Sequence, residues 1–434
     1  MVQVGSEFGG WVVAAFLVLF CGVGAAPVGA AGAEGAAADA VSAADWPQFL
    51  GPLRDGTYPG DDLGESWGPK GPPKLWELAV GQGFSGPVVA AGRVILFHRK
   101  ENKEVVTCLD AETGGKKWDF GYTCDYTDGY SPDDYGPRST PAVSSGRVYT
   151  FGVAGKLHCL DLAQGQAVWS VDTREKFGAR AGFFGFASSP LIEGKAVLIN
   201  IGGTKKAGIV ALEKASGEVL WTATDDEASY SSPVATTIDG KRHVFFFTRS
   251  GLKDLDPGTG EVRFDFPWRA RIRASVNAAT PLVVGNRVFV SSSYQTGAAL
   301  LEVTAGAPRK VWSSDASLSN HYSTSVYHGG HLYGFDGRHE HRPTLRCVEL
   351  KTGSVLWEKD LAGGGALVRA GDRLLILTAR GKLLQVSASP DGYRELARAT
   401  AIDGGGKAVR AHPALAAGRL YVRGPGRLVC LDLR

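Results

Sequence analysis

The sequence predicts an all-β fold: an eight-bladed β-propeller of four-stranded antiparallel blades, its ring closed by an N-terminal strand that completes the last blade. Three observations predict it. First, two short apolar strands followed by Leu-Asp-x-x-x-Gly-x-x-x-Trp recur, as Cys108-Leu109-Asp110-Ala111-Glu112-Thr113-Gly114 ending at Trp118 and Cys159-Leu160-Asp161-Leu162-Ala163-Gln164-Gly165 ending at Trp169. Second, the residues ending each unit (Trp76, Trp118, Trp169, Trp221, Phe264, Trp312, Trp357, Leu396) are spaced by 39 to 52 residues, the period of propeller blades. Third, eight small-residue openings precede eight first strands: Ser85-Gly86-Pro87, Ser139-Thr140-Pro141, Ser188-Ser189-Pro190, Ser231-Ser232-Pro233, Ala279-Thr280-Pro281, Ser323-Thr324-Ser325, Gly364-Gly365-Ala366 and Ala411-His412-Pro413.

The two series are out of step. A closing element, 74–80 around Trp76, comes before any opening, and the chain ends at Leu428-Val429-Cys430-Leu431-Asp432-Leu433, a third strand without its fourth. Segment 74–80 is therefore expected to supply that strand, removing the open edge that a ring cut at one point would leave. Within a unit, β-rich runs such as Val148-Tyr149-Thr150-Phe151 and Ala167-Val168-Trp169-Ser170-Val171 alternate with glycine turns that supply positive φ. The motif Asp is expected to accept backbone N–H groups of its own turn, and the Trp to cover the gap between blades.

The chain of 434 residues is expected to form one ring, 46–434, preceded by a signal peptide over 1–30 and a disordered Ala/Gly linker over 31–45. The apolar run 11–23 is short for a membrane span and is followed by small residues, although residues 2–10 hold no Lys or Arg and Glu7 is acidic. The protein is thus expected in the periplasm or otherwise exported, with no transmembrane segment in the mature chain, as a monomer. A net charge of +3 without a long basic run argues against a nucleic-acid partner. Cys108, Cys159, Cys347 and Cys430 fall at one position in four blades, too far apart to pair, so no disulfide is expected.

Trp46-Pro47-Gln48-Phe49-Leu50-Gly51-Pro52, Arg54-Asp55-Gly56, Gly136-Pro137-Arg138-Ser139-Thr140-Pro141 and the repeated motif resemble the pyrroloquinoline quinone (PQQ)-binding-like β-propeller repeat proteins. That superfamily includes quinoprotein alcohol dehydrogenases and BamB-type assembly lipoproteins. The resemblance implies the fold over 46–434. For the dehydrogenases it further implies PQQ with calcium, a disulfide between adjacent cysteines, a stacking Trp and a catalytic Asp. No two cysteines are adjacent in this chain, and the calcium ligands and the Asp have no motif match.

In a propeller the residues before each first strand approach the channel mouth. Those are Gln82 and Phe84, Tyr135 and Arg138, Phe184 and Phe186, Ser229 and Tyr230, Arg273 and Asn277, His321 and Tyr322, and Arg410 with His412. Aromatic rings and guanidinium groups suit a flat polyanionic ligand; the alternative is a wet channel lining. Arg138, Phe186, Tyr230, Arg273, Asn277, His321 and Arg410 are the candidate cofactor or ligand contacts. Arg269, Arg271 and Arg273 alternate along one side of an extended segment, next to Asn277, suited to a carboxylate-rich quinone or an acidic partner, or simply a solvated loop. The insertion 121–136, with Asp125, Asp128, Asp133, Asp134 and four tyrosines, reads as a lid or recognition loop. His328, His331, His339 and His341 read as exposed hairpin residues rather than a metal site, and no metal ligand is assigned.

Two functions follow as expectations. One is an exported, non-catalytic binding or assembly module whose channel mouth meets an envelope protein or a small ligand. The other is a PQQ-dependent alcohol dehydrogenase, with Arg138, Arg273 and Asn277 on the quinone's carboxylates, Phe186 or Tyr230 stacked on it, and an Asp of the insertion as base.

Overall fold

The computed structural model describes residues 44–434 apart from 69, 128–133, 271, 273–275 and 305–306. The expected signal peptide and all but the last two residues of the expected linker lie outside the described residues. Eight antiparallel sheets form blades 1 to 8, over 88–123, 142–172, 191–223, 234–267, 282–314, 326–359, 365–400 and 414–432. Lys74–Ala79 pairs antiparallel with Arg427–Asp432 and supplies the fourth strand of blade 8, as the offset of the repeats predicts. Among the described residues no helix is long and apolar enough to cross a membrane.

The motif residues hold neighbouring blades together. Asp110, Asp161 and Asp256 each accept two backbone N–H groups of their own turn, at 2.9–3.0 Å. In all eight blades the pairing of third and fourth strands shifts register at the motif position, and in seven of them this bulge aims an aromatic side chain sideways. Six indoles then donate to a carbonyl of the next blade's turn: Trp76 to Ala111, Trp118 to Leu162, Trp169 to Lys214, Trp221 to Pro257, Trp312 to Leu350 and Trp357 to Ser389. In blade 7 the register puts Ala397 opposite Gln385 at the indole position. Leu396, expected there from spacing, points outward and is 37% exposed. The apolar core is correspondingly a ring of clusters shared by adjacent blades, such as Phe151, Phe186 and Ile199 between blades 2 and 3. The five described cysteines are free and buried.

One feature was not expected from the sequence. The segment 46–58 crosses the ring at the far ends of the innermost strands and closes the channel there. Trp46 bridges Val89 of blade 1, Pro47 accepts the N–H of Val143 of blade 2 at 2.8 Å, and Thr57–Tyr58 adds a parallel fifth strand to blade 7. Arg54, 3% exposed, donates to the carbonyls of Ser189 and Pro190 in blade 3 at 3.2 and 3.0 Å, and to Gln48 Oε1 at 3.0 Å. The channel thereby becomes a blind cavity.

Candidate functional site

The cavity has a volume of about 190 Å³ and is lined by residues of the plug and of the turns that precede the first strands. Phe49 forms its floor, edge-on to His412 with ring centroids 5.8 Å apart. Next comes a girdle built by the Ser-Pro openings. Gly86 N–H donates to Thr140 Oγ1 at 3.1 Å, Thr140 N–H to Ser189 Oγ at 2.9 Å, and Ser189 N–H to Ser232 Oγ at 3.0 Å. Small hydroxyl residues recur at these openings because each one ties its blade to the preceding one.

The mouth carries the charge. The Arg138 guanidinium lies over the rings of Phe84 and Phe184, at 5.4 and 5.7 Å, and that of Arg410 lies over Phe84 at 5.4 Å. Tyr230 OH accepts the Phe184 N–H at 2.8 Å, which fixes the turn carrying that ring. On the opposite side Tyr294 OH sits 3.0 Å from His321 Nε2, while Glu340 is 3.9 Å from His321 Nδ1 and 3.4 Å from Arg338. Burial pushes His321 down to about 4, an effect reinforced by Arg338 and Arg410 and opposed by Glu340. The imidazole is therefore neutral at physiological pH. Arginine supplies the cavity's positive charge.

The sequence-predicted residues divide. Arg138, Tyr230, His321 and Arg410 line the cavity together. Phe186 does not: it is 1% exposed and packs against Phe151 in the core of blades 2 and 3, and Phe184 takes the place by the mouth. The reason is Gly185, whose φ of +76° breaks the extended backbone, so two residues apart no longer means the same side. Asn277 is 2% exposed, and its amide donates to the carbonyls of Thr248 and Trp268 at 2.8 and 3.0 Å. It holds a loop and is not available to a ligand. Arg271 and Arg273 lie outside the described residues, as do Asp128 and Asp133 of the insertion. The described ends of the insertion are clamped, since Arg99 donates to the carbonyls of Cys124, Tyr126 and Tyr135.

His339 departs from the exposed-hairpin expectation. It stacks on Tyr322 at 3.7 Å with neither ring nitrogen hydrogen-bonded, and burial holds it at about 3. Sequence reasoning missed Phe49, whose only signal was membership in the unrepeated 46–56 phrase.

Among the described residues no three His, Cys, Asp or Glu side chains converge, and Glu340 is the one carboxylate among the described lining residues. The faces of Phe84 and Phe184 are already covered by Arg138.

Eight blades around an axial cavity, six of their joints stapled by an indole over the neighbour's turn, make up a PQQ-like repeat propeller. The family described as outer membrane protein assembly factor BamB matches residues 102–359, and the chain belongs to that family. It is similar to the outer membrane protein assembly factors BamB of Escherichia coli (strain K12) and Shigella dysenteriae serotype 1, each 23% identical over 262 residues. That match covers 57% of this chain and 62% of the length of these curated relatives. The crystal structure of BamB from Moraxella catarrhalis aligns with a TM-score of 0.61 at 18% identity, over 83% of this chain and 98% of that one. The quinohemoprotein alcohol dehydrogenase of Comamonas testosteroni aligns with a TM-score of 0.61 at 14% identity, over 90% of this chain and 80% of that one. At such identities these structures share the fold.

Proposed function

We propose that this protein is an exported, non-catalytic binding propeller of the cell envelope, which takes part in assembly by recognising a partner or a small ligand at the cavity mouth. The observation that carries the reading is the character of the cavity. Among the described residues it gathers recognition groups, two guanidiniums among aromatic rings, and no cluster of carboxylates of the kind that holds calcium. The assembly role in the BamB relatives' name and the apolar segment 11–23 support the envelope setting.

Titration with PQQ and calcium, followed by quinone absorbance and tryptophan fluorescence, should show no saturable binding, and a dye-linked alcohol assay no turnover. Cell fractionation should place the chain outside the cytoplasm, cleaved before Trp46. A photo-crosslinking residue at Phe84 should capture a discrete envelope component that the same residue at Val168, on the outer rim, does not. One-to-one quinone binding with alcohol oxidation would replace this reading by the enzyme.

A further inference from the structure

We propose that the blind cavity is a receptor for a single-ring aromatic carboxylate, held by arginine and hydroxyl groups without a metal ion; this deepens the binding-module reading and rests on it. Four observations lead there. The volume of about 190 Å³ slightly exceeds the roughly 150 Å³ apolar cavity that admits benzene, so one ring with a short acid fills it and a tricyclic tricarboxylate does not. The rings of Phe49 and Tyr230 line the cavity, which favours a flat apolar body.

The polar groups then select an acid. Thr140, Ser189 and Ser232 line the cavity on successive blades, and each hydroxyl oxygen accepts a backbone N–H from the blade before it. Among the described residues none of the three finds an acceptor for its own proton, so three adjacent O–H donors are left for an oxygen-bearing ligand. Arg410 rests on the face of Phe84 and forms no hydrogen bond or ion pair among the described residues, which leaves its planar fork for a carboxylate.

The test is calorimetry on the full mature protein in EDTA. Phenylacetate should bind one-to-one with a Kd on the order of tens of micromolar, as about ten heavy atoms in a preformed site allow. Phenylacetamide, isosteric but neutral, should bind at least about 30-fold more weakly, the loss expected for a charge-assisted bidentate contact. Arg410→Gln, at an exposed position, should erase that preference with thermal stability unchanged, and Arg410→Lys should restore part of it. Comparing phenylacetate with a tripeptide ending in phenylalanine identifies the source: tighter binding of the small acid points to a free metabolite, tighter binding of the peptide to a chain terminus, and either supports the site. Equal affinity for acid and amide, absence of binding, or a requirement for calcium overturns the proposal. If no aryl acid binds while Phe84 still cross-links its envelope component, the ligand is wrong and the binding-module reading stands.

Discussion

Arg54 and Arg423 are fully desolvated guanidiniums whose hydrogen-bond partners are all carbonyl oxygens. Arg54 ties the plug to blade 3, and Arg423 ties blade 8 to blade 1 through Ser85, Phe97 and Gly81. Burial lowers them to about 9 and about 10, still cationic at neutral pH. Removing one leaves several buried carbonyls unpaired, so Arg54→Met should cost about 3 kcal/mol in urea unfolding, against less than about 0.5 kcal/mol for the exposed Arg174→Met. Imidazoles are treated in the opposite way, by being kept neutral. His98 accepts the Gly81 N–H on Nδ1 at 2.8 Å and meets Thr107 Oγ1 with Nε2 at 2.9 Å, and burial holds it at about 3. His158, His321 and His412 sit at about 4 and His339 at about 3, each through burial. Above pH 6.5 folded and unfolded chains bind the same protons on these rings. Below it the unfolded chain gains protons that the fold refuses until about pH 4, so stability should fall as pH drops through that window. Motif carboxylates such as Asp110 and Asp432, lowered by their hydrogen bonds to Lys117 and Arg434, act only below about pH 4, outside it. Burial raises the carboxyls of Glu104, Asp254 and Asp336, which work against this loss in the same window, so a urea midpoint that rises as pH drops from 7 to 4.5 would contradict the assignment.

At the scale of the element, the blade interface is an indole laid on a glycine. Gly217 has φ +76°, and a Cβ there would stand 2.9 Å from the Trp169 ring. Gly194 has φ +56° with nothing within 4 Å of the same added atom. Gly194→Ala therefore isolates the left-handed backbone penalty, about 1 kcal/mol, whereas Gly217→Ala adds displacement of Trp169 from the Lys214 carbonyl and should cost about 3 kcal/mol. Equal losses in thermal or urea unfolding would mean the indole has room to shift. The blades were legible because this contact repeats in sequence: Leu-Asp-x-x-x-Gly and Trp encode the two halves of one joint. Leu396 was misplaced by a residue because a β-bulge changes register without changing composition. The plug was illegible for another reason. Its phrase occurs once, without period, and its contacts span the ring, as with Arg54 reaching Pro190, 136 residues away. The cavity was half legible: Arg138, Tyr230, His321 and Arg410 follow from their place before an opening, but Phe186 and Asn277 were turned inward by a glycine and by two carbonyls that no spacing rule contains.

For the whole molecule, the chain itself crosses all eight joints between blades, running from Lys74–Ala79 into blade 1 and on to blade 8, so the one place closed by pairing alone lies inside blade 8. Its fourth strand, Lys74–Ala79, comes from the other end of the described chain, so the ring opens wherever that strand unzips from Arg427–Asp432. The seam is reinforced from outside: Gly64 N–H donates to Leu433 at 2.8 Å, Gln385 donates to the Glu65 carbonyl at 2.9 Å, and Trp76 docks on Ala111. Trp76→Ala and Trp169→Ala remove the same group from equivalent joints, each at a cost of about 3–5 kcal/mol. Their consequences should differ. At Trp169 the blades stay covalently joined and the chain stays a closed monomer of lower stability. Trp76 sits on the strand whose pairing alone closes the ring, against Tyr421 of blade 8 with ring centroids 5.8 Å apart, so its loss loosens that pairing, frees a strand edge on Arg427–Asp432 and leaves an unpaired segment able to complete blade 8 of a second copy. Light scattering with size-exclusion chromatography should therefore find concentration-dependent dimers and higher species for Trp76→Ala and not for Trp169→Ala. If both variants remain monomeric with unchanged radius, the plug over 46–58 closes the ring without help from the seam, because its contacts to blades 1, 2, 3 and 7 already span the circle.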